Sequence, residues 1–375
     1  GFQAMPNLYV ALIAVPLTAL VVAYLRDPSR RWRLAWIAVC MGAMALIRPS
    51  DALYVTGALL VAVLAFRAAA IRARLLLAGV VAAGFAAGTL EWVIEAYVRF
   101  GDPIRRLHLA QKEQGGGGLH FSLPAQLHTL AGPPLCRGGC HPSTPGWAMV
   151  WWFALPVFVV AGVLLARRVQ RSAYGFAIVV GLAVAAEYVL TIKYSAPRFL
   201  TPAYAVLLIP AAAGLIGLAR RAGPRLRPAV LAVVALAVLA QGVGQVAIVR
   251  RYIVPDDRAQ LAAYSSVAHA LHVLVAGRRC LVEGAGAAAV AYDARCRSLP
   301  KSEPWMLDNT ADTGRVLGIY LTNNGVLPRA MSGWTSLRLN TPGLATAWFA
   351  AVDVETNEPA TTQPSSSASA AASRS

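Results

Sequence analysis

Charge is what this chain has least of. Only 14% of its 375 residues are Asp, Glu, Lys or Arg, against 57% that are hydrophobic, and its mean hydropathy is +0.56. A soluble domain carries about 25% charge and about 45–50% apolar residues, so a wholly soluble protein is excluded. Acidic residues are the scarcer sign, 17 against 34 basic ones, for a net charge of +17. Such an excess raises the question of nucleic acid, but aromatic-basic alternation of the kind that grips a strand is missing. The arginines fall instead in short clusters between apolar runs, as orientation signals do in a membrane protein. A basic n-region and a cleavage site are missing from GFQAMPN at the start, which excludes a signal peptide there. We expect a chain whose upstream part lies elsewhere. Clear internal repeats are also missing, which counts against the inverted-repeat architecture of secondary transporters.

Long apolar runs are abundant. A hydrocarbon core of about 30 Å needs about 20 apolar residues as helix. Eight runs reach or approach that length: 8–25, 34–47, 52–66, 75–98, 147–166, 172–192, 199–219 and 228–249. The expected fold is an α-helical integral membrane protein of about eight transmembrane helices, with a small C-terminal extracytoplasmic α/β domain. The second and third runs are short. Arg48-Pro49-Ser50-Asp51 between them reads as a sharp turn joining two short helices, or as the break in one re-entrant element.

The loops alternate in charge. RDPSRRWR (26–33), RAAAIRAR (67–74), RRVQR (167–171) and RRAGPRLR (220–227) hold 14 arginines in 29 residues. The intervening set is the start of the chain, the RPSD turn, the 99–146 segment and KYSAPR, and it is far sparser in basic residues. Positive charge stays in the cytoplasm. The arginine-rich loops are therefore expected inside, and the others outside, together with everything after residue 250. Residues 1–250 then form the multi-span domain, with 99–146 as a long outer loop. Residues 251–352 are long enough for a small domain and show helical and strand-like segments. Residues 353–375 are low in complexity and are expected to be disordered.

Cysteines number five. Cys136, Cys140, Cys280 and Cys296 fall on the predicted outer side, where disulfides persist, and Cys40 falls inside a span. Cys280–Cys296 and Cys136–Cys140 are the expected bridges. CRGGCH (136–141) has one residue too many for a haem-attachment C-x-x-C-H. A zinc site there would need His141 with His120 or His128, and a small disulfide loop is the simpler reading. HFSLPAQLHTLAG (120–132) spaces its apolar residues as an interfacial helix does. Gly284-Ala285-Gly286 resembles a dinucleotide fingerprint only weakly, because no convincing helix follows it.

The ionisable residues inside the spans are not scattered. Glu91 and Glu95 lie one helical turn apart in the outer half of their span, and Glu187 lies in the outer half of another. Arg48, Asp51, Lys193 and Arg198 stand at outer ends. An intramembrane ionisable group is a functional hypothesis by default. Arg offers a bidentate fork and Lys a point charge for phosphate. Tyr194 and Tyr204 add hydroxyls at the interface. Carboxylates at the same level suit sugar hydroxyls. A lipid-linked phosphosugar in the outer leaflet matches the set. The plainer readings are snorkelling of Lys193 and Arg198 to lipid headgroups, and interhelical pairing of the glutamates, Glu187 with Lys193 for one.

Three stretches carry a resemblance. MALIRPSDALYV (44–55), YVRFGDPIRR (97–106) and KYSAPRFLTPAYAVLLIPAAAGL (193–215) are similar to stretches of the GT-C membrane glycosyltransferases. That group includes the protein O-mannosyltransferases and the aminoarabinose and arabinofuranosyl transferases. The resemblance covers roughly residues 1–250. It implies transfer of a sugar from a polyprenyl-phosphate donor to a glycan or protein acceptor outside the cell membrane, by an inverting displacement. It places the catalytic base in an early outer loop, expected upstream of this chain, so the catalytic residue is unknown here. Arg198, Lys193, Arg48 and Tyr194 are the candidates for donor phosphate. Glu91, Glu95, Asp102 and Glu187 are the candidates for acceptor or sugar. Some relatives hold a divalent metal, but this sequence offers no convincing site, and no cofactor is certain. A transporter or flippase for a lipid-linked glycan, and a non-enzymatic membrane scaffold, are the alternatives.

Overall fold

The computed structural model describes residues 6–113, 118–130, 136, 149–284, 286–298, 315–322, 335–341 and 344–353. The chain divides into two compact units, Gly1–Ile248 and Val249–Ser375.

The first unit is helical: α1 (Pro6–Arg26), α2 (Trp32–Ile47), α3 (Pro49–Ala65), α4 (Ile71–Phe100), α5 (Pro103–Glu113), α6 (Leu123–Leu130), α7 (Val150–Leu165), α8 (Arg168–Leu190), α9 (Thr201–Arg221) and α10 (Gly223–Ile248). Among the described residues five spans are long and apolar enough to cross a membrane. They are α1, α4, α8, α9 with the 3-10 turn Pro197–Leu200 ahead of it, and α10 with the residues to Arg251. The apolar helices α2, α3 and α7 are shorter, at 16, 17 and 16 residues. The molecule is thus an α-helical protein of membrane character. Arg48 alone separates α2 from α3, with extended backbone (φ −151°, ψ 89°), and Pro49 opens α3 at the position where a missing N–H costs nothing. The two short helices are therefore distinct elements.

Two crossings depend on small residues. Gly84 and Gly88 of α4 face Ala38, Gly42 and Ala45 of α2, and a Cβ on Gly88 would lie 2.2 Å from the Gly42 carbonyl oxygen. Gly162 of α7 meets Pro210 and Gly214 of α9 as closely, with 2.0 Å from such a Cβ to the Pro210 carbonyl oxygen. Between membrane helices the apolar drive is weak, and close backbone approach through small residues replaces it. Val10, Leu17, Met41, Leu59, Val180 and Val206 sit in one core that draws on α1, α2, α3, α8 and α9.

Helices α1 and α8 run antiparallel, and a hydrogen bond joins them at each end. Asn7 Nδ2 donates to the Tyr188 hydroxyl at one end (3.1 Å), and Arg26 donates to the Val169 carbonyl at the other. The bonded positions lie 19 residues apart in both helices, which is about 28 Å at the helical rise. The link 27–31 is ordered by Asp27, which accepts from the Ser29 hydroxyl and pairs with Arg30 and Arg33. The Ser29 hydrogen bond holds the Asp27 carboxyl below its ordinary range, with help from Arg33 and Arg30.

Among its described residues the second unit holds α11 (Val254–Val275), α12 (Ala287–Ala294) and five strands: β1 (Cys280–Gly284), β2 (Arg297–Ser298), β3 (Arg315–Thr322), β4 (Thr335–Thr341) and β5 (Leu344–Asp353). The sheet order is β2-β1-β3-β5-β4, with β1 parallel to β2 and β3, and β5 antiparallel to β3 and β4. Val267, Leu271, Val282, Val290 and Ile319 form its core. Cys280 and Cys296 are disulfide-bonded, as expected. A helix does follow Gly284-Ala285-Gly286, contrary to the sequence reading. Its glycines serve packing: a Cβ on Gly284 would lie 2.1 Å from the Leu321 carbonyl oxygen, and one on Gly286 would lie 2.4 Å from the Tyr264 ring. The tail expected over 353–375 falls, after Asp353, outside the described residues.

Candidate functional site

One end of the helical unit gathers polar side chains. Asn7 opens α1, Arg48 links α2 to α3, Asp51 lies in the first turn of α3, and Glu187 and Tyr188 lie in the last turn of α8. A carboxylate in the first turn of a helix is favoured by the unpaired N–H groups there. Asn7, Asp51, Glu187 and Tyr188 are buried, and Arg48 keeps one-fifth of its side chain exposed.

Asp51 Oδ1 is the hub. It accepts from the Tyr188 hydroxyl at 2.6 Å and pairs with Arg48 Nε at 3.2 Å. Arg48 also donates to Asn7 Oδ1 at 3.1 Å, and its guanidinium lies 5.3 Å from the centre of the Tyr188 ring. Asn7 in turn donates to Tyr188. The arginine is thus fixed by two hydrogen-bond acceptors and an aromatic face. Breaking a buried ion pair by removing one partner costs about 3–5 kcal/mol, so this arrangement holds firmly.

An aromatic stack extends the site. Tyr188 stacks on Phe199 at 4.9 Å with the rings 21° apart, and Tyr194 meets the same Phe199 edge-on at 5.3 Å. The Arg198 guanidinium lies 5.6 Å from the Phe199 ring. Lys193 is exposed and Arg198 half-buried. Neither has a carboxylate partner among the described residues. Cations close to aromatic faces gain about 0.5–2 kcal/mol.

Residues 118–130 and Cys136 bond to this end. The His120 and Ser122 N–H groups donate to the Leu190 and Val189 carbonyls (2.7 and 2.8 Å), and the Ser122 hydroxyl donates to the Tyr188 carbonyl (2.8 Å). The Ser195 hydroxyl donates to the Ala125 carbonyl, and Ser195 exchanges two backbone bonds with Cys136. Helix α6 lies where an interfacial helix was expected. It buries Gln126 and Thr129. Cys136 is disulfide-bonded, and Cys140, its expected partner, lies outside the described residues with His141.

Three of the four donor-phosphate candidates, Arg48, Tyr194 and Arg198, therefore meet around Tyr188 and Phe199, and Lys193 adjoins them in the chain. The acceptor candidates do not all join them. Glu95 is taken by Arg99 at 3.1 Å and by Arg106, whose guanidinium lies 4.5 Å from the Trp92 ring. Asp102 Oδ1 accepts from the Arg105 N–H at 2.8 Å, so its observed role is to cap α5. Glu91 and Glu95 line an open groove of about 430 Å³ along α4, with Leu90, Ile94, Val98 and Arg99. Glu187 adjoins the first cluster, where it interacts with Asp51, and no ion pair joins it to Lys193 among the described residues. Tyr204 accepts from Trp152 Nε1 at 2.8 Å.

The chain matches no family model, no curated protein and no solved structure. Function therefore has to be argued from the site. Among the described residues no group of three or more His, Cys, Asp and Glu is placed to hold a metal ion. Three partners went unrecognised in the sequence: Asn7, Tyr188 and Phe199. Asn7 carried a usable signal, as a polar side chain at the start of an apolar run. Tyr188 and Phe199 carried none beyond being aromatic.

Proposed function

We propose that the chain belongs to a glycosyltransferase of the GT-C type, which moves a sugar from a polyprenyl-phosphate donor to an acceptor on the extracytoplasmic side. In this reading all eight apolar helices cross the membrane, the arginine-rich links face the cytoplasm, and the polar end and the unit after Ile248 face outward. The observation that carries it is that Arg198 lies against Phe199 and Arg48 against Tyr188 of one aromatic stack, with Lys193 close by in the chain, and that neither Lys193 nor Arg198 has a carboxylate partner among the described residues. Arg48 is largely neutralised by Asp51, so Arg198 and Lys193 supply the net positive charge that a phosphate needs. Arg48 contributes its remaining N–H groups. The aromatic faces suit the first isoprene units and the sugar. Asp51 is spent on Arg48 and Tyr188 and is not assigned as the base. The acceptor contacts are left to Glu91 and the α4 groove.

The test is binding of a polyprenyl-phosphate sugar to the full chain in nanodiscs, followed by transfer. Arg198→Ala and Lys193→Ala together should weaken binding at least tenfold while the protein elutes as folded. Binding at the wild-type level would remove the phosphate role. A lipid-linked glycan transporter is the second reading, and the buried carboxyl contact between α3 and α8 favours it. Movement of an intact labelled lipid across a vesicle, without sugar transfer, would establish that reading instead.

A further inference from the structure

The contact between Asp51 and Glu187 has no part in holding a phosphate. Asp51 is fully buried and Glu187 is 3% exposed. Their carboxyl groups interact where α3 packs on α8, the contact that the Tyr188–Asp51 hydrogen bond also holds. One oxygen of each, Asp51 Oδ2 and Glu187 Oε2, is buried and meets no N–H or O–H donor. Two ionised carboxylates cannot share such a contact without strong repulsion.

The groups facing the pair are few. Among the described residues Arg48, from the α2–α3 link, is the one cation, and it is bonded to Asp51 Oδ1. From α8 comes the neutral Tyr188 phenol, which also donates to Asp51 Oδ1. From α1 comes the neutral Asn7 amide, bonded to Arg48 and Tyr188. The neutral Ser50 hydroxyl, in the first turn of α3, is the other polar group that acts on Glu187. One cation therefore serves two carboxyl groups. A further positive charge is needed, and a metal ion lacks a third acidic, His or Cys ligand here among the described residues. A proton needs only two carboxyl oxygens, and one of each residue is buried without a donor.

We propose that Asp51 and Glu187 form a proton-binding site. Glu187 carries the proton and donates it to Asp51 Oδ2, while Asp51 Oδ1 takes Arg48 and Tyr188. The cluster is then neutral and every Asp51 oxygen is satisfied. Withdrawing the proton leaves two negative charges facing one guanidinium and draws Arg48 away from Asn7. Proton occupancy is thereby linked to the α3–α8 contact and to the setting of Arg48. The site stands apart from the transferase reading, since a proton is held whether or not a sugar is transferred.

The test is infrared spectroscopy of the full chain in nanodiscs at neutral pH. The wild type should show the carbonyl band of a buried protonated carboxyl, and Glu187→Gln should lose it. The amide N–H of that variant can replace the acid O–H toward Asp51, so it should remain folded. Absence of the band from the wild type, or its persistence at full strength in Glu187→Gln, would overturn the site. Should Glu187→Gln fail to fold, glutamate labelled with 13C at its side-chain carboxyl answers the same question in the wild type. A band that shifts supports Glu187 as the carrier, and one that does not shift refutes it.

Discussion

At the scale of single residues, Tyr188 does most to define the polar end. Its hydroxyl accepts from Asn7 and donates to Asp51, and its ring lies between Arg48 and Phe199. Tyr188→Phe keeps the stack and deletes both hydrogen bonds. Leaving buried partners unsatisfied costs about 1–3 kcal/mol. Thermal unfolding in detergent should show that loss. Equal melting temperatures for Tyr188→Phe and the wild type would mean that Asn7 and Asp51 find other partners. The sequence made Arg48 and Arg198 visible because a cation next to an apolar run needs a reason. It did not make the phenol visible, because a tyrosine in a span needs none until its partner is known. Counting charges also paired Glu187 with Lys193 by closeness in sequence. The fold pairs it with Asp51, 136 positions away, across a helix contact that no local pattern encodes.

At the scale of elements, the helix crossings set the tolerance of the molecule. Gly162 and Gly214 bring α7 and α9 together so closely that any side chain strikes backbone: a Cβ on Gly214 would lie 2.1 Å from the Phe158 carbonyl oxygen. Backbone cannot rotate away as a side chain can. Overpacking a tight site costs about 1–3 kcal/mol, and Gly162→Leu should exceed that range because the whole crossing must open. Gly57→Ala and Gly79→Ala meet nothing within 4 Å and should be neutral. Size-exclusion profiles in detergent separate these outcomes, and a monodisperse Gly162→Leu protein would refute the close crossing. The long apolar helices were legible because length and hydropathy suffice to find them. Helix α5 was not, since PIRRLHLAQKE is polar overall and its helical order shows only in the periodicity of a few residues. Strands β4 and β5 were missed as well. LATAWFAAVD has no strict alternation, and strand pairing depends on partners far along the chain.

At the scale of the whole molecule, the helical unit has two unlike ends. Its arginine-rich link at 27–31 lies at the end where Arg26 meets Val169, and its buried polar cluster lies at the end where Asn7 meets Tyr188. About 28 Å of helix separates them, close to the thickness of a hydrocarbon core at about 30 Å. This separation gives the proposed topology a physical form: with α1 and α8 crossing the membrane, the two ends are expected in different aqueous compartments and the polar cluster near one membrane surface. Variants with one added cysteine in a Cys40→Ala background test it, with the other four cysteines left in place and the unaltered background as the blank. A cysteine at Ser29 should react with an impermeant maleimide only after the cells are opened. A cysteine at Lys193, which is exposed, should react in intact cells. The reverse pattern would put the cluster on the cytoplasmic side, where a nucleotide-sugar donor would replace the lipid-linked one. Labelling of both positions in intact cells would mean that α1 and α8 do not span the membrane, and the roles assigned to Arg198 and Lys193 would fall with that arrangement.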